Sequence, residues 1–258
     1  MSSDHVSLER DGAIAVVRLN RPPANALEME FSREFEAAFD SILRDEPEAM
    51  VLTGSGRFFS GGLDLKLVPA YTESDQQAFL RILNRMIGKL YACPIPVVGA
   101  INGHAIAGGF ILVLTTDYRI GPTTDALFGL TEARVGIPFP AATMAVLQAE
   151  LAAPDVRYAT LHARNFGPEE ARARGVLDEL QPADAVLERA LEVAHDLAGM
   201  PADGYRRIKH QVRGAAIARI EQLTATDADP MLQGWLGPES LKASAAILTG
   251  SRGDSRGD

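Results

Sequence analysis

The sequence predicts an α/β fold followed by a helical C-terminal region. Three observations predict it. Short apolar strand-like runs alternate with helix-period segments as far as residue 184, glycine-bearing turns follow two of the apolar runs, and beyond Asp184 only helical patterns remain. The chain has 258 residues, of which 47% are hydrophobic. That suits one sizeable core, or a core with an appendage, and excludes a disordered chain.

Val6 and Leu8, then Ile14 to Leu19, form two strand patterns around Asp11-Gly12, a hairpin signal. Pro22-Pro23 closes the second, because proline lacks the ladder donor. Phe31, Phe35, Ala38, Phe39 and Ile42 recur at helical spacing, and Met50 to Thr53 reads as a short buried strand closed by Gly54. Residues 57–69 form a glycine-containing loop. Asp75 is placed to cap a helix whose apolar face is Phe79, Ile82, Leu83, Met86, Ile87 and Leu90. Val97 to Ile101 is a buried strand feeding a turn over 102–109, and an apolar helical run extends from Phe110 to about Thr116.

Short strands are expected at Tyr118 to Ile120 and Ala126 to Phe128, and helices over 141–151, 155–163 and 168–174. After Gly175, Val176-Leu177 reads as a last strand. Helices over 184–198, 203–227 and 238–249 complete the chain. The shift in character divides it into a 1–185 core and a 186–258 helical region. The helical region is too small to bury its own apolar faces, so it is expected to pack on the core or on a neighbouring subunit. Its tail from about residue 251, which carries Arg-Gly-Asp twice, is expected to be disordered. No sequence repeat of 20–50 residues is present.

The net charge of −9 argues against a nucleic-acid partner. The single cysteine, Cys93, excludes an intramolecular disulfide and fits a reducing compartment. The start lacks a basic segment followed by an apolar one, and the longest apolar stretch, Ala105 to Thr116, falls short of the ~20 residues of a spanning helix. A cytoplasmic protein without a membrane partner is expected. The five histidines have no metal-ligand spacing, so no metal is expected.

Three segments are candidates for chemistry. Ser60-Gly61-Gly62-Leu63-Asp64 and Ala107-Gly108-Gly109-Phe110 are turns in which the backbone can approach a ligand closely, and two N–H donors converging on one oxygen would form an oxyanion hole. Each Gly-Gly pair also reads as simple turn structure. The third is Glu132, flanked by apolar residues. If buried, it would have a raised pKa and could act as a base; pairing with Arg134 or capping a helix are the alternatives.

The segments 20–27 (Asn-Arg-Pro-Pro-Ala-Asn-Ala-Leu), 59–65 (Phe-Ser-Gly-Gly-Leu-Asp-Leu), 102–109 (Asn-Gly-His-Ala-Ile-Ala-Gly-Gly), 117–120 (Asp-Tyr-Arg-Ile) and 128–132 (Phe-Gly-Leu-Thr-Glu) stand in an order that resembles the crotonase superfamily, the enoyl-CoA hydratase/isomerase family. In wording they look most like its Δ3,Δ2-enoyl-CoA isomerase branch. The resemblance covers nearly the whole chain. It implies a spiral of β-β-α turns with a C-terminal helical trimerisation region, and a homotrimer or hexamer. It also implies an acyl-CoA thioester substrate and no cofactor, coenzyme A being part of the substrate.

The same resemblance implies oxyanion-hole N–H groups from Leu63 and Gly108 and a catalytic Glu132. Substrate-binding positions would be Ser60, Gly61, Gly62, Asp64, Lys66, Gly109 and Ile111, with Lys66 reaching the CoA phosphates; by its charge, Arg57 is a second candidate for them. Ile106, Ile111, Phe139 and Met144 read as acyl-pocket walls or as core, and His104 and Arg134 as structural. Hydratases of the family carry a carboxylate where this chain has Ile111. The resemblance and this departure together imply an isomerase moving a 3-enoyl-CoA double bond to the 2-position through a dienolate, with Glu132 as base and acid. A hydratase or other acyl-CoA lyase, and a non-catalytic acyl-CoA-binding protein, are the alternatives.

Overall fold

The computed structural model describes residues 5–250; the repeated Arg-Gly-Asp tail lies outside the described residues. β1 (Val6–Asp11) and β2 (Ile14–Leu19) form the expected hairpin, with Gly12 in the left-handed region at φ +58°. From β2 onward every pairing between the strands described is parallel, an antiparallel bridge joining only Phe128 to Phe166, which lies outside them. Among the described residues, β3 (Ala49–Gly54), β5 (Val97–Ala100), β7 (Tyr118–Pro122) and β9 (Glu179–Gln181) extend that sheet in the order β1-β2-β3-β5-β7-β9. A second parallel sheet holds β4 (Phe58–Ser60), β6 (His104–Ile106) and β8 (Phe128–Gly129).

The chain alternates between the two sheets and a helix. α2 (Glu73–Tyr91) comes after β3 and β4, α3 (Gly108–Leu114) after β5 and β6, and α4 (Glu132–Val135) after β7 and β8. This is the β-β-α spiral that the resemblance implies, repeated in space although no repeat shows in the sequence. α1 (Met29–Arg44) comes after β2, α5 (Ala141–Glu150), α6 (Ala153–Arg157) and α7 (Pro168–Ala173) precede β9, and α8 (Val186–Ala198), α9 (Ala202–Ala225) and α10 (Pro238–Gly250) complete the order. None of the described helices is long and apolar enough to cross a membrane.

The large sheet is buried on both faces, which is why its strands read as continuous apolar runs. Strand alternation sends Ala15, Val17, Leu19, Met50, Leu52 and Val97 into the main core with the apolar faces of α1 and α2. The opposite set, Ile14, Val16, Ala49, Val51, Val98, Ala100 and Ile120, packs against Val186, Ala190 and Ala194 of α8. Burying such a side chain fully is worth about 1.5–3 kcal/mol.

Four local expectations need correction. The cap of α2 is Thr72, whose Oγ1 accepts from the Asp75 N–H at 3.2 Å, while Asp75 accepts from the Thr72 hydroxyl at 2.6 Å; the two residues cap each other and the helix starts earlier. Val176 and Leu177 are not a strand, since both N–H groups donate to the Ala171 carbonyl and so finish α7; the strand begins at Glu179. Residues 58–60 and 104–106, read as loop and turn, are strands of the small sheet, and the strand expected over 126–128 occupies only Phe128–Gly129.

α9 is tied to the core by buried charge. Asp117 accepts from Lys209 Nζ at 2.6 Å and pairs with Arg213 Nη1 at 2.9 Å, while Glu150 pairs with Arg213 Nε at 3.3 Å, with Arg119 and with the Tyr91 hydroxyl. Arg213 also donates to the carbonyls of Tyr91, Thr115 and Thr116. Removing one member leaves buried opposite charges uncompensated. Arg213→Met is therefore expected to lower the unfolding free energy by about 3–5 kcal/mol, measured by urea denaturation.

Candidate active site

β4, β6 and β8 are parallel neighbours, so the segments after them leave the same end of the small sheet, the end at which parallel sheets place ligands. β4 runs into Gly61-Gly62-Leu63, β6 into Ala107-Gly108-Gly109, and β8 into Leu130-Thr131-Glu132. The three candidate motifs of the sequence are thus the ends of three adjacent rungs.

The two glycine turns meet. Gly62 lies at φ +78°, and a Cβ there would stand 2.6 Å from Ala107 Cβ and 2.8 Å from the Gly108 nitrogen. A Cβ on Gly108 would stand 2.8 Å from Leu27 Cδ1. Leu27 forms a further rung: its N–H donates to the Gly62 carbonyl at 2.7 Å and its carbonyl accepts from the Asp64 N–H at 2.9 Å. These bonds flank Leu63, whose own N–H faces away from the rung and has no acceptor among the described residues. The Ala107 N–H donates to the Gly129 carbonyl at 2.8 Å, and the next amide, Gly108, is likewise unpaired. Ala107 sits at φ +53° and ψ −124°, a conformation that favours glycine and costs about 1–3 kcal/mol.

Asn25 locks the first turn from behind. Fully buried at φ +48°, it donates through Nδ2 to the carbonyls of Ser55, Phe58 and Phe59, accepts from the Arg21 N–H, and takes the Ser60 hydroxyl on its own carbonyl. Arg21 pairs with Asp64 at 2.9 Å, and Asp64 accepts from the N–H groups of Lys66 and Leu67. Nothing in the composition of 20–27 singles out Asn25 and Arg21. The available signal was an asparagine two residues after Pro-Pro, because asparagine tolerates the left-handed region.

Glu132, 8% exposed, opens α4. Its Oε2 is buried and without a hydrogen-bond partner among the described residues. Burial pushes its pKa up to about 7, and the backbone N–H groups of Glu132 and Thr131 pull against this more weakly. The pair with Arg134 does not form: the Arg134 guanidinium donates to the carbonyls of Ala163 and His162. The pKa of the carboxyl is thus set by burial, with no cation beside it among the described residues.

The other expected positions divide by exposure. Ser60 and Gly109 are fully buried, and a Cβ on Gly109 would run into the Ser60 carbonyl, so both shape the turns from behind. Gly61 donates its N–H to Ala24. Lys66 and Arg57 are exposed on the surface. Ile111 is fully buried in the main core and offers no surface in this conformation, whereas Ile106 is half-buried beside the turn. His104 Nδ1 accepts from the Leu127 N–H, and burial together with Arg57 lowers its pKa. Phe139 and Met144 line a separate cavity of about 290 Å³ with residues of α9 and the segment after it. Among the described residues, no group of three or more His, Cys, Asp or Glu side chains is placed to hold a metal ion.

The profile of the enoyl-CoA hydratase/isomerase family matches residues 9–237. The chain belongs to the enoyl-CoA hydratase/isomerase family. A probable enoyl-CoA hydratase, echA17, of Mycobacterium avium is 31% identical over 84% of this chain and 84% of its own length. The crystal structure of human mitochondrial Δ3-Δ2-enoyl-CoA isomerase superposes with a TM-score of 0.89 at 26% identity, covering 98% of this chain and all of that one. An enoyl-CoA isomerase from Mycobacterium tuberculosis superposes with a TM-score of 0.81 at 32% identity, covering 87% and 98%. Hydratases and isomerases are thus both among the relatives of this family member, an enzyme acting on acyl-CoA thioesters.

Burial of Glu132 has a measurable consequence for stability. Its carboxyl titrates near 4.5 when unfolded and near 7 when folded, so the folded state binds the proton more tightly. Its contribution to stability therefore falls as pH rises from about 4.5 to about 7 and is level above that. Glu132→Gln abolishes this slope. The variant is expected to gain roughly 3 kcal/mol over wild type between pH 5 and pH 8, read from urea titrations at both values.

Proposed function

We propose that the protein is an enoyl-CoA isomerase that moves the double bond of a 3-enoyl-CoA to the 2-position, with Glu132 as its single proton-transferring group. One observation carries the reading. A buried carboxyl with a pKa of about 7 follows β8, the unpaired amide N–H groups of Gly108 and Leu63 follow the next two strands of the same sheet, and Ile111, at the position where the family resemblance implies a second carboxylate in hydratases, is apolar and buried. Hydration must hold a water and deliver a proton. A 1,3-shift needs one group that takes a proton and gives it back, best served by a pKa near the working pH. The likeness to the human and mycobacterial isomerases supports the same reading.

In this mechanism the thioester oxygen accepts from the N–H groups of Leu63 and Gly108. The Glu132 carboxylate takes the C2 proton, and the C–H electron pair spreads into a dienolate over C1 to C4 and the oxygen, where the two donors meet the developing charge. Protonated Glu132 then delivers the proton to C4, the C2=C3 bond forms, and the carboxylate is restored. A proton moves and no electron leaves the substrate, so the chemistry calls for no cofactor beyond the coenzyme A that the substrate carries. Lys66, exposed just beyond the first turn, is offered to its phosphates, whereas Arg57 precedes β4 and lies at the far end of the small sheet; the backbone of Gly61 and Gly62 gives the thioester its close approach.

A cytoplasmic enzyme of fatty acid metabolism, assembled as a homotrimer or hexamer, belongs to the same proposal. The 61% and 78% exposure of Ile208 and Val212 on α9 supports burial of that face against another copy, and the buried thiol of Cys93 suits a reducing compartment.

Supplied with a 3-enoyl-CoA, the wild type is expected to produce conjugated thioester absorbance, and Glu132→Gln to lower kcat by roughly 10²–10⁴-fold. Below a pH of about 7, kcat/KM falls about tenfold per pH unit as the base is protonated, and it is level above. Rapid water addition to crotonyl-CoA without isomerisation would replace this reading with a hydratase. Saturable acyl-CoA binding without turnover would replace it with a binding protein.

A further inference from the structure

The helix carrying Glu132 is a single turn, ended by Gly136 at φ +63°, and has no side-chain cap. Four residues cannot hold a carboxylate in place by their own hydrogen bonds. Residues 136–142, the connection from α4 and the first two residues of α5, are fastened at four points by side chains from elsewhere. Ser240 Oγ donates to the Gly136 carbonyl at 2.5 Å, and Trp235 Nε1 donates to the Pro138 carbonyl at 2.9 Å. Asp229 Oδ2 accepts from the Ala141 N–H at 2.9 Å, and Asn84 Oδ1 accepts from the Ala142 N–H at 2.9 Å. Asn84 Nδ2 in turn donates to Asp229 Oδ2 at 2.7 Å, closing the set.

The N-cap of α5 is Pro140, which offers no side-chain cap, so Asp229 and Asn84 supply in trans the acceptors that its first amides lack. Asp229, Asn84, Trp235 and Ser240 are all buried, and Trp235 is wedged against Phe79 with ring centroids 6.1 Å apart. Three of the four come from residues 229–240, between α9 and the start of α10, far in sequence from the site they brace.

We propose that Asp229, Asn84, Trp235 and Ser240 are positioning residues for Glu132: they fix the backbone of 136–142, and through it the depth and direction of the Glu132 carboxyl. The proposal rests on the reading of Glu132 as the proton-transferring group. The two elements packed most closely against α4, α10 and the turn over 158–162, carry Tyr158, His162, Glu239 and Lys242 as titratable side chains, with Arg134 on α4 itself. None of them contributes to the shift at Glu132, whose largest cause is burial. Loosening the brace therefore reads out as water reaching the carboxyl.

The test compares Trp235→Phe, Ser240→Ala and the double variant with wild type. Isomerisation of a 3-enoyl-CoA gives kcat and KM. The Glu132 titration is monitored by infrared difference spectra against each variant's own Glu132→Gln partner. The double variant is expected to lose about tenfold in kcat with KM changed by less than about twofold, its Glu132 midpoint moving down toward the ordinary carboxylate range. Ser240→Thr, which keeps the hydroxyl, should restore what Ser240→Ala loses. If the double variant does not fold, the single variants are read the same way, each at about threefold. Wild-type kcat, KM and Glu132 titration in the variants would overturn the proposal. Full turnover in Glu132→Gln would overturn the base assignment instead, and the infrared titration would still decide the brace.

Discussion

Two stretches of backbone can come within van der Waals reach only where no side chain stands between them. The site turns on one such approach, between the turn after β4 and the turn after β6. Gly62 fits against Ala107 and Gly108 because it lacks a Cβ and because its φ of +78° suits glycine. The Leu27 rung and the threefold grip of Asn25 Nδ2 hold the first turn at that distance, and the Ala107–Gly129 hydrogen bond holds the second turn to the rung that leads to Glu132. The large sheet, α1 and α8 form the frame that keeps these rungs parallel. The strain stored at Ala107 is tolerated because both sides of the contact are over-determined.

Much of this was legible in the sequence, and the reason differs from element to element. The helices α1, α2 and α9 show apolar spacing over many residues, so their existence could be read. β4, β6 and β8 are two or three residues long, too short to display a period, and their partners lie some 23 to 46 residues away. The motifs they carry were visible as glycine pairs and a lone glutamate, but the fact that these end adjacent rungs was not. Thr72 and Asp75 are both good caps, and their reciprocal bonds make the distinction between them a matter of geometry. Arg134 beside Glu132 suggested an ion pair. The folded chain instead turns the guanidinium to the carbonyls of Ala163 and His162, which only tertiary structure could reveal.

Charge is used in two opposite ways in this molecule. Arg119, Lys209 and Arg213 are buried with Asp117 and Glu150, each cation also saturated by carbonyl oxygens, and they fasten the C-terminal helices to the sheet. At Glu132 no cation among the described residues acts on the carboxyl, and burial holds its pKa near neutral. The net charge of −9 is thus a poor guide to either place. What matters locally is whether a buried acid has been given a partner.

The two unpaired N–H groups, of Leu63 and Gly108, belong to the main chain. Side-chain replacement cannot delete them as long as the turns keep their shape. The side chains are different, since Glu132 on α4 and Ile111 on α3 stand on separate helices, and each can be exchanged without touching the other. The scaffold therefore separates a permanent inheritance, written in backbone geometry, from an editable one, written in residue identity. In the proposed reading, a chain built in this way can change its reaction while keeping the same two backbone donors, and relatives named hydratase and isomerase at similar distances fit such a scaffold.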